Sequence, residues 1–310
     1  MHNPTRHGPI GPPRPLPADL IISLEQLRLS QLMNQYLCAM DLGTTRCGGF
    51  QDKALIDLSR FSGEVIVVGD LHTRLDNLSA ILHHDNNFEK LASGRAVLLQ
   101  LGDIVHSLKR DKLTEMGSSL EIFGAWMRLK IECPQFVYCL RGNHDGLQTA
   151  TKKNDVRQCD LFEAHLRSAT PSDFHTGYTA AIENGAIMAI SGQFAAVHSG
   201  PIRSATSIEE IQCCDMSDVS VRRMPQILEE AIFSRWMHDS QGRVYEADDV
   251  RNFLNLCQIP DGHLIVGHTR PPHDAWQYQP MQNHWVITAT EDALGYLSVR
   301  GSEVRPINVR

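Results

Sequence analysis

Hydrophobic and polar positions follow two rhythms along this chain of 310 residues. Ser23-Leu24-Glu25-Gln26 has the spacing of a capping box and opens an apolar-periodic run through Met40. That predicts a helix, ended by Asp41-Leu42-Gly43. From about residue 61 the rhythm changes. GEVIVVGD (63–70), RAVLLQLGD (95–103) and QFVYCLRGNHD (135–145) are short β-branched or apolar runs ending in a turn and polar residues. Between them, 75–92 and 118–131 have helical spacing. Strand-loop-helix units of this length predict a buried sheet covered by helices. The later runs 186–190, 194–200, 263–270, 284–290 and 295–300 read as further strands without intervening helices. The expected fold is α/β, a two-layered mixed sheet sandwich flanked by helices. One domain spans 61–310, with an insertion at about 146–185. A helical extension spans 19–60. Residues 1–18 hold six of the 15 prolines and read as a disordered tail.

Composition narrows the class. Hydrophobic residues make up 42% of the chain, enough for a large core. With 29 Lys and Arg against 36 Asp and Glu, the formal charge is −7, which argues against nucleic acid or an anionic membrane as partner. No apolar stretch is long enough for a membrane span, and the N-terminus lacks the apolar segment of a signal peptide. Eight scattered cysteines without a C-x-x-C motif read as reduced thiols, so the expected location is the cytoplasm or another soluble intracellular compartment.

Chemistry concentrates where the strands end. Five segments share one grammar of apolar strand, tight turn and metal-ligand side chains. They are Gly69-Asp70-Leu71-His72, Gly102-Asp103, Gly142-Asn143-His144-Asp145, Val197-His198-Ser199-Gly200 and Gly267-His268-Thr269. Each alone is weak, since Gly-Asp after a strand is commonly a turn and a single buried histidine is commonly a core residue. Asp70 and His72 gain weight because alternate residues of an extended segment point the same way. Carboxylate, imidazole and amide oxygen together suit manganese, iron or zinc better than calcium. In open α/β sheets such ligands belong just beyond the carboxyl ends of strands.

The ordered set GDLH, GD, RGNHD, HSG, GHT resembles the calcineurin-like metallophosphoesterase superfamily over roughly residues 63–270, and its LRGNH most resembles the bacterial and phage-type phosphoprotein phosphatase branch. The resemblance implies two divalent ions, manganese above all, or iron with zinc. Asp70 and His72 would hold the first ion, Asp103 would bridge, and Asn143, His198 and His268 would hold the second. A water shared by the ions would attack phosphorus directly and in line, and His144 would act as general acid. The implied substrate is a phosphorylated protein or peptide, phosphoserine or phosphothreonine by default, with phosphotyrosine open. A small-molecule phosphohydrolase, such as one acting on dinucleoside polyphosphates, is the alternative. A catalytically weak, metal-stabilised binding module is a third reading.

The chain departs from the branch at several points. The arginine that follows the second motif in the branch is Ser107 here. Arg235 is the first substitute as phosphate clamp, with Arg243 and Arg270 as fallbacks and Asn143 beside them. Arg141 reads as an ion-pairing residue. His106 replaces an aspartate that would accept from the general acid. It is expected either to orient His144 or to contact phosphate itself. Thr73 stands where the branch has glycine, which is compatible only with a turn that does not need positive φ. The insertion and residues 271–285 are expected to wall the entrance, the latter through exposed aromatics.

Overall fold

A computed structural model describes residues 29–147, 152–215, 224–236 and 244–310. The proline-rich stretch, the Ser23 capping box and Arg243 lie outside these residues. The chain begins with α1 (Leu29–Leu42), then β1 (Gln51–Asp52), β2 (Leu55–Asp57) and β3 (Glu64–Val68). Next come α2 (Leu75–His83), α3 (Asn87–Ala92), β4 (Ala96–Gln100), α4 (Gly117–Glu132) and β5 (Val137–Cys139). After α5 (Gln158–Ala169) and α6 (Ser172–Glu183) follow β6 (Met188–Ile190), β7 (Phe194–Val197), α7 (Ile208–Gln212) and α8 (Gln226–Phe233). The last part holds β8 (Arg235–Trp236), β9 (Val244–Tyr245), α9 (Ala247–Leu256), β10 (His263–Val266), β11 (Gln277–Met281), β12 (His284–Ile287), β13 (Gly295–Arg300) and β14 (Glu303–Asn308).

Two mixed sheets form the centre. One runs β14-β13-β3-β4-β5, with β3, β4 and β5 parallel. The other runs β1-β2-β6-β7-β10-β12-β11, with β7, β10 and β12 parallel. The two-residue period of a strand decides which layer each side chain joins. Val65, Val67, Val97 and Leu99 meet Phe194, Ala196, Ile265 and Ile287 between the sheets. Ile66, Val68 and Leu98 face the helices α1 to α6. Ala195, Val197, Leu264 and Val266 face α7 to α9. Both faces of each sheet are therefore covered, which is why the strands read as continuous apolar runs.

The fold departs from expectation in four places. Residues 51–57, expected within a helical extension, form β1 and β2 at the edge of the seven-stranded sheet. The 75–92 stretch is two helices, because Asp85 and Asn86 take left-handed conformations, φ 48° and 54°. Strands β7 and β10 are separated by α7, α8 and α9, whose short or polar-rich patterns were not recognised. Trp276 and Trp285, expected to be exposed, are 4% and 7% accessible. The insertion also does more than cover a surface. Phe162, Leu166, Phe174 and Tyr178 enter the core with residues of α1 and α4, each large apolar side chain contributing about 1.5–3 kcal/mol by burial.

Candidate metal centre

The parallel strands deliver five loops to one edge of the sandwich. Segments 69–73, 101–107 and 141–145 leave β3, β4 and β5, while His198 and His268 follow β7 and β10. The loops turn tightly, so His72, Thr73, Asp103, His106 and His268 have φ between +43° and +68°. Thr73, at +68°, contradicts the expectation of a turn without positive φ. Its backbone is held there by Thr73 N–H donating to the Ile104 carbonyl at 2.9 Å. Glycine is needed where loops touch. A methyl group on Gly142 would collide with Asp103, and one on Gly267 with the Asp70 carboxylate.

Asp103 is the centre of the arrangement. One of its carboxylate oxygens lies 3.5 Å from His72 Nε2 and 3.4 Å from His198 Nε2. The donor atoms of Asp70, His72 and Asp103 lie within 4.8 Å of one another, and so do those of Asp103, His198 and His268. Asp103 thus belongs to both groups. Asn143 Oδ1 is 3.1 Å from His198 Nε2. The other carboxylate oxygen of Asp103 accepts from the His144 N–H at 2.8 Å. The Asp70 carboxylate accepts from the His268 N–H at 3.0 Å.

Two histidines are set by the same device. His72 Nδ1 lies 2.8 Å from the His106 carbonyl, and His198 Nδ1 lies 2.8 Å from the Leu101 carbonyl. A carbonyl only accepts, so each Nδ1 carries the proton and each Nε2 is directed at Asp103. Fixing the tautomer through the far nitrogen is how metal-ligating imidazoles are oriented. Donors about 2.1 Å from a shared ion stand roughly 3.0–3.5 Å apart, which the His–Asp103 separations match.

The electrostatics call for cations. Burial, with the charge of Asp103, pushes the Asp70 pKa up. Burial and Asp103 likewise push Asp145 up to about 6. Burial opposes charge on His198, but the carboxylates of Asp103 and Asp70 overcome it and raise its pKa to about 9. The clustered carboxylates thus favour positive charge between them. Burial drives His72 down, and drives His268 well below its ordinary value. These neutral imidazoles are the ligand form. The donor set fits two divalent ions of the manganese, iron or zinc type.

The remaining site residues divide clearly. His144, 8% accessible, has its pKa lowered to about 4, chiefly by burial, and its ring stands 5.1 Å from that of His72. His106 is fully buried. Its ring stands edge to face with those of His144 at 5.8 Å and Phe162 at 5.4 Å. No direct hydrogen bond joins His106 to His144, because both His106 ring nitrogens and His144 Nδ1 have no partner among the described residues. The half-buried Arg235 lies near enough to His268 to lower its pKa. Arg270 is exposed and taken up by Asp274 at 2.8 Å and Glu291 at 2.8 Å. Ser107 is buried and its carbonyl accepts from Gln158.

Two residues were missed by sequence reasoning. Asp145 accepts from the backbone N–H groups of Asp103, Ile104 and Gly142 at 2.8–3.0 Å and ties two ligand loops together. Its place at the end of GNHD was the available signal. Lys153, in a tight turn with Val156, contributes positive charge near His144. The Lys152-Lys153 pair was visible, but its proximity was not.

The family model described as calcineurin-like phosphoesterase matches residues 63–272. Among solved structures, a protein serine/threonine phosphatase from Saccharomyces cerevisiae with similarity to human phosphatase PP5 is similar over 91% of this chain and 90% of its own, at 13% identity and a TM-score of 0.65. A cold-active protein tyrosine phosphatase is similar over 85% of this chain and 80% of its own, at 12% identity and a TM-score of 0.51. At such identities the likeness is one of fold. No curated protein matches the chain. Among the described residues no helix is long and apolar enough to cross a membrane.

Proposed function

Because the chain belongs to the calcineurin-like phosphoesterase family, we propose that it is a two-metal phosphomonoesterase acting on phosphorylated proteins, with phosphoserine and phosphothreonine first and phosphotyrosine also admitted. The observation that carries this reading is the place of Asp103 in two overlapping donor groups. In the proposal, Asp70, His72 and Asp103 hold one ion, and Asp103, Asn143, His198 and His268 hold the other. Bound divalent ions would neutralise phosphate oxygens and make a water acidic near neutral pH.

The chain's own groups do the rest. Asp103 and Asn143 define where the phosphate sits by holding the two ligand groups together. His144 stands at the rim of the Asp70–His72–Asp103 group as the proton donor to the leaving oxygen. Burial holds its pKa low; a bound phosphate dianion would favour the imidazolium, and the cations would oppose it. Arg235 on one side and Lys153 on the other would take the charge-pairing role that Ser107 cannot fill. His106, buried against Phe162, acts as a positioning residue behind His144 rather than as its direct acceptor.

The test is hydrolysis of an aryl phosphate with added manganese. Activity should vanish on chelation. It should fall about a hundredfold or more in Asp103→Asn, and about 10²–10⁴-fold in His144→Ala. Turnover that persists after chelation, or that ignores Asp103→Asn, refutes the proposal. A panel of phosphoserine, phosphothreonine and phosphotyrosine peptides against dinucleoside polyphosphates then fixes the substrate class. Preference for the nucleotides would overturn the protein-phosphatase part.

A further inference from the structure

Basic side chains gather on the His144 side of the metal centre, in a chain whose formal charge is −7. Two segments carry them. The loop that holds Asp103 and His106 runs on through Ser107 into Lys109, Arg110 and Lys112, all exposed around a single turn of helix at 110–112. The insertion carries exposed Lys152 and half-buried Lys153, in the tight turn closed by Lys153 and Val156.

Gln158 holds the two segments together. Its side-chain amide donates to the Ser107 carbonyl at 2.9 Å and to the Leu113 carbonyl at 3.1 Å, the two ends of the first segment. Gln158 opens α5, directly after the second segment. Lys153 places positive charge near His144, so the patch borders the residue proposed as proton donor. Among the described residues Lys109, Arg110, Lys112, Lys152 and Lys153 have no ion-pair partner, whereas Arg157 is taken up by Asp160 at 2.9 Å. The other acids beside them are fewer. Asp111 and Asp155 are exposed, and Glu115 accepts from the Ser118 hydroxyl at 2.6 Å and the Ser118 N–H at 3.0 Å.

Exposed charges of one sign steer ligands of the opposite sign and raise their local concentration. Neither 108–115 nor 152–157 holds an aromatic side chain on which a base could stack, which favours an acidic polypeptide over nucleic acid. We infer that this surface receives the acidic flank of a phosphorylated polypeptide, with Lys109, Arg110, Lys112 and Lys152 pairing aspartate or glutamate side chains beside the phosphorylated residue. The inference rests on the phosphatase reading and narrows its substrate class. In that reading the metal centre and Lys153 face the phosphate itself, and the outer cations read the residues next to it.

Phosphothreonine peptides flanked by glutamate or by glutamine give the test on the manganese-loaded full chain, with an aryl phosphate as reference substrate. The native chain should show about tenfold higher kcat/KM for the glutamate peptide, carried by KM, as several exposed ion pairs together would supply. The preference should fade as salt shortens the Debye length from about 10 Å at 0.1 M to about 3 Å at 1 M. Lys109→Glu, Arg110→Glu and Lys112→Glu combined should abolish or reverse it and leave aryl phosphate turnover unchanged. Lys152→Glu alone should lower it about two- to threefold. A fluorescent, unphosphorylated glutamate-rich peptide should bind the native chain more tightly than the triple variant by anisotropy. Equal constants for the two phosphopeptides in a chain that hydrolyses aryl phosphate, or a preference untouched by charge reversal, overturns the inference. Tighter binding of a single-stranded oligonucleotide of equal charge, lost in the triple variant, also overturns it. A native chain that hydrolyses no aryl phosphate refutes the phosphatase reading instead. The anisotropy then decides the surface, and equal peptide binding by native and reversed chains overturns it.

Discussion

Thr73→Gly isolates the strain carried by the first ligand loop. At φ +68° the Thr73 side chain presses on its own carbonyl, and β-branching worsens the fit. A left-handed conformation costs a residue with a Cβ about 1–2 kcal/mol. Glycine removes that cost but adds about 0.5–1 kcal/mol of chain entropy to be lost on folding. The net expectation is a gain of about 0.5 kcal/mol, within a range of roughly 0–1.5. Thr73→Ala is the control, because it deletes the branch and hydroxyl but keeps the Cβ. Alanine should therefore fall between threonine and glycine, with glycine ahead of it by no more than about 0.5 kcal/mol. Urea unfolding of both variants, metal-free and with matched m-values, measures the difference. If alanine equals or exceeds glycine, the left-handed turn is not strained and the reasoning fails. If only metal-loaded protein shows the gain, the loop adopts this turn only around an ion.

Chelation should lower the unfolding temperature, and re-added manganese should restore it. A free ion at a hundred times its dissociation constant contributes about 2.7 kcal/mol, and an unchanged midpoint would contradict a metal centre. Glu64 should give the stability a distinct acid limb. Burial opposes its ionisation, but Arg300, Ser298 and Lys90 win and hold its pKa below the ordinary carboxylate value. Because the folded pKa is the lower one, the stabilisation is present above the unfolded pKa and fades as pH falls through the folded value. The advantage of the native chain over Glu64→Gln, measured by urea unfolding across acid pH, should shrink in that window, and a constant difference would exclude the linkage. His106→Ala should lower kcat with KM nearly unchanged, since the ring lies behind His144. A change confined to KM would make it a phosphate contact instead.

The strand-end ligands were legible because both requirements on them are local. An apolar run long enough to cross the sandwich and a glycine at its end place the next polar side chain at the rim. The same logic missed α9, whose Ala247–Leu256 sequence buries only Val250, Phe253 and Leu254 and carries acids in its first turn. It also misjudged Trp276 and Trp285, whose polar neighbours gave no hint that they close the edge of the core. Arg141 shows the limit most plainly. Its position beside Gly142 was readable, but the acids that act on it, Asp145 and Glu183, are placed by the loop after β5 and by α6. The absence of a His106–His144 hydrogen bond is of the same kind, because His106 packs edge to face on Phe162, which comes from the insertion.

The six proposed ligands do not hang from one sheet. Asp70, His72, Asp103 and Asn143 follow strands of the five-stranded sheet, whereas His198 and His268 follow strands of the seven-stranded one. Neither sheet can assemble the centre alone. The ion proposed for Asp103, Asn143, His198 and His268 would act as a clasp across the open edge of the sandwich, reinforcing the hydrogen bonds that already cross it from the His268 N–H to Asp70 and from His198 Nδ1 to the Leu101 carbonyl. Loading and closure would then be one event. Partial opening between the sheets, followed by hydrogen exchange at the ends of β4 and β7, would report the loss of an ion before any change in the helices.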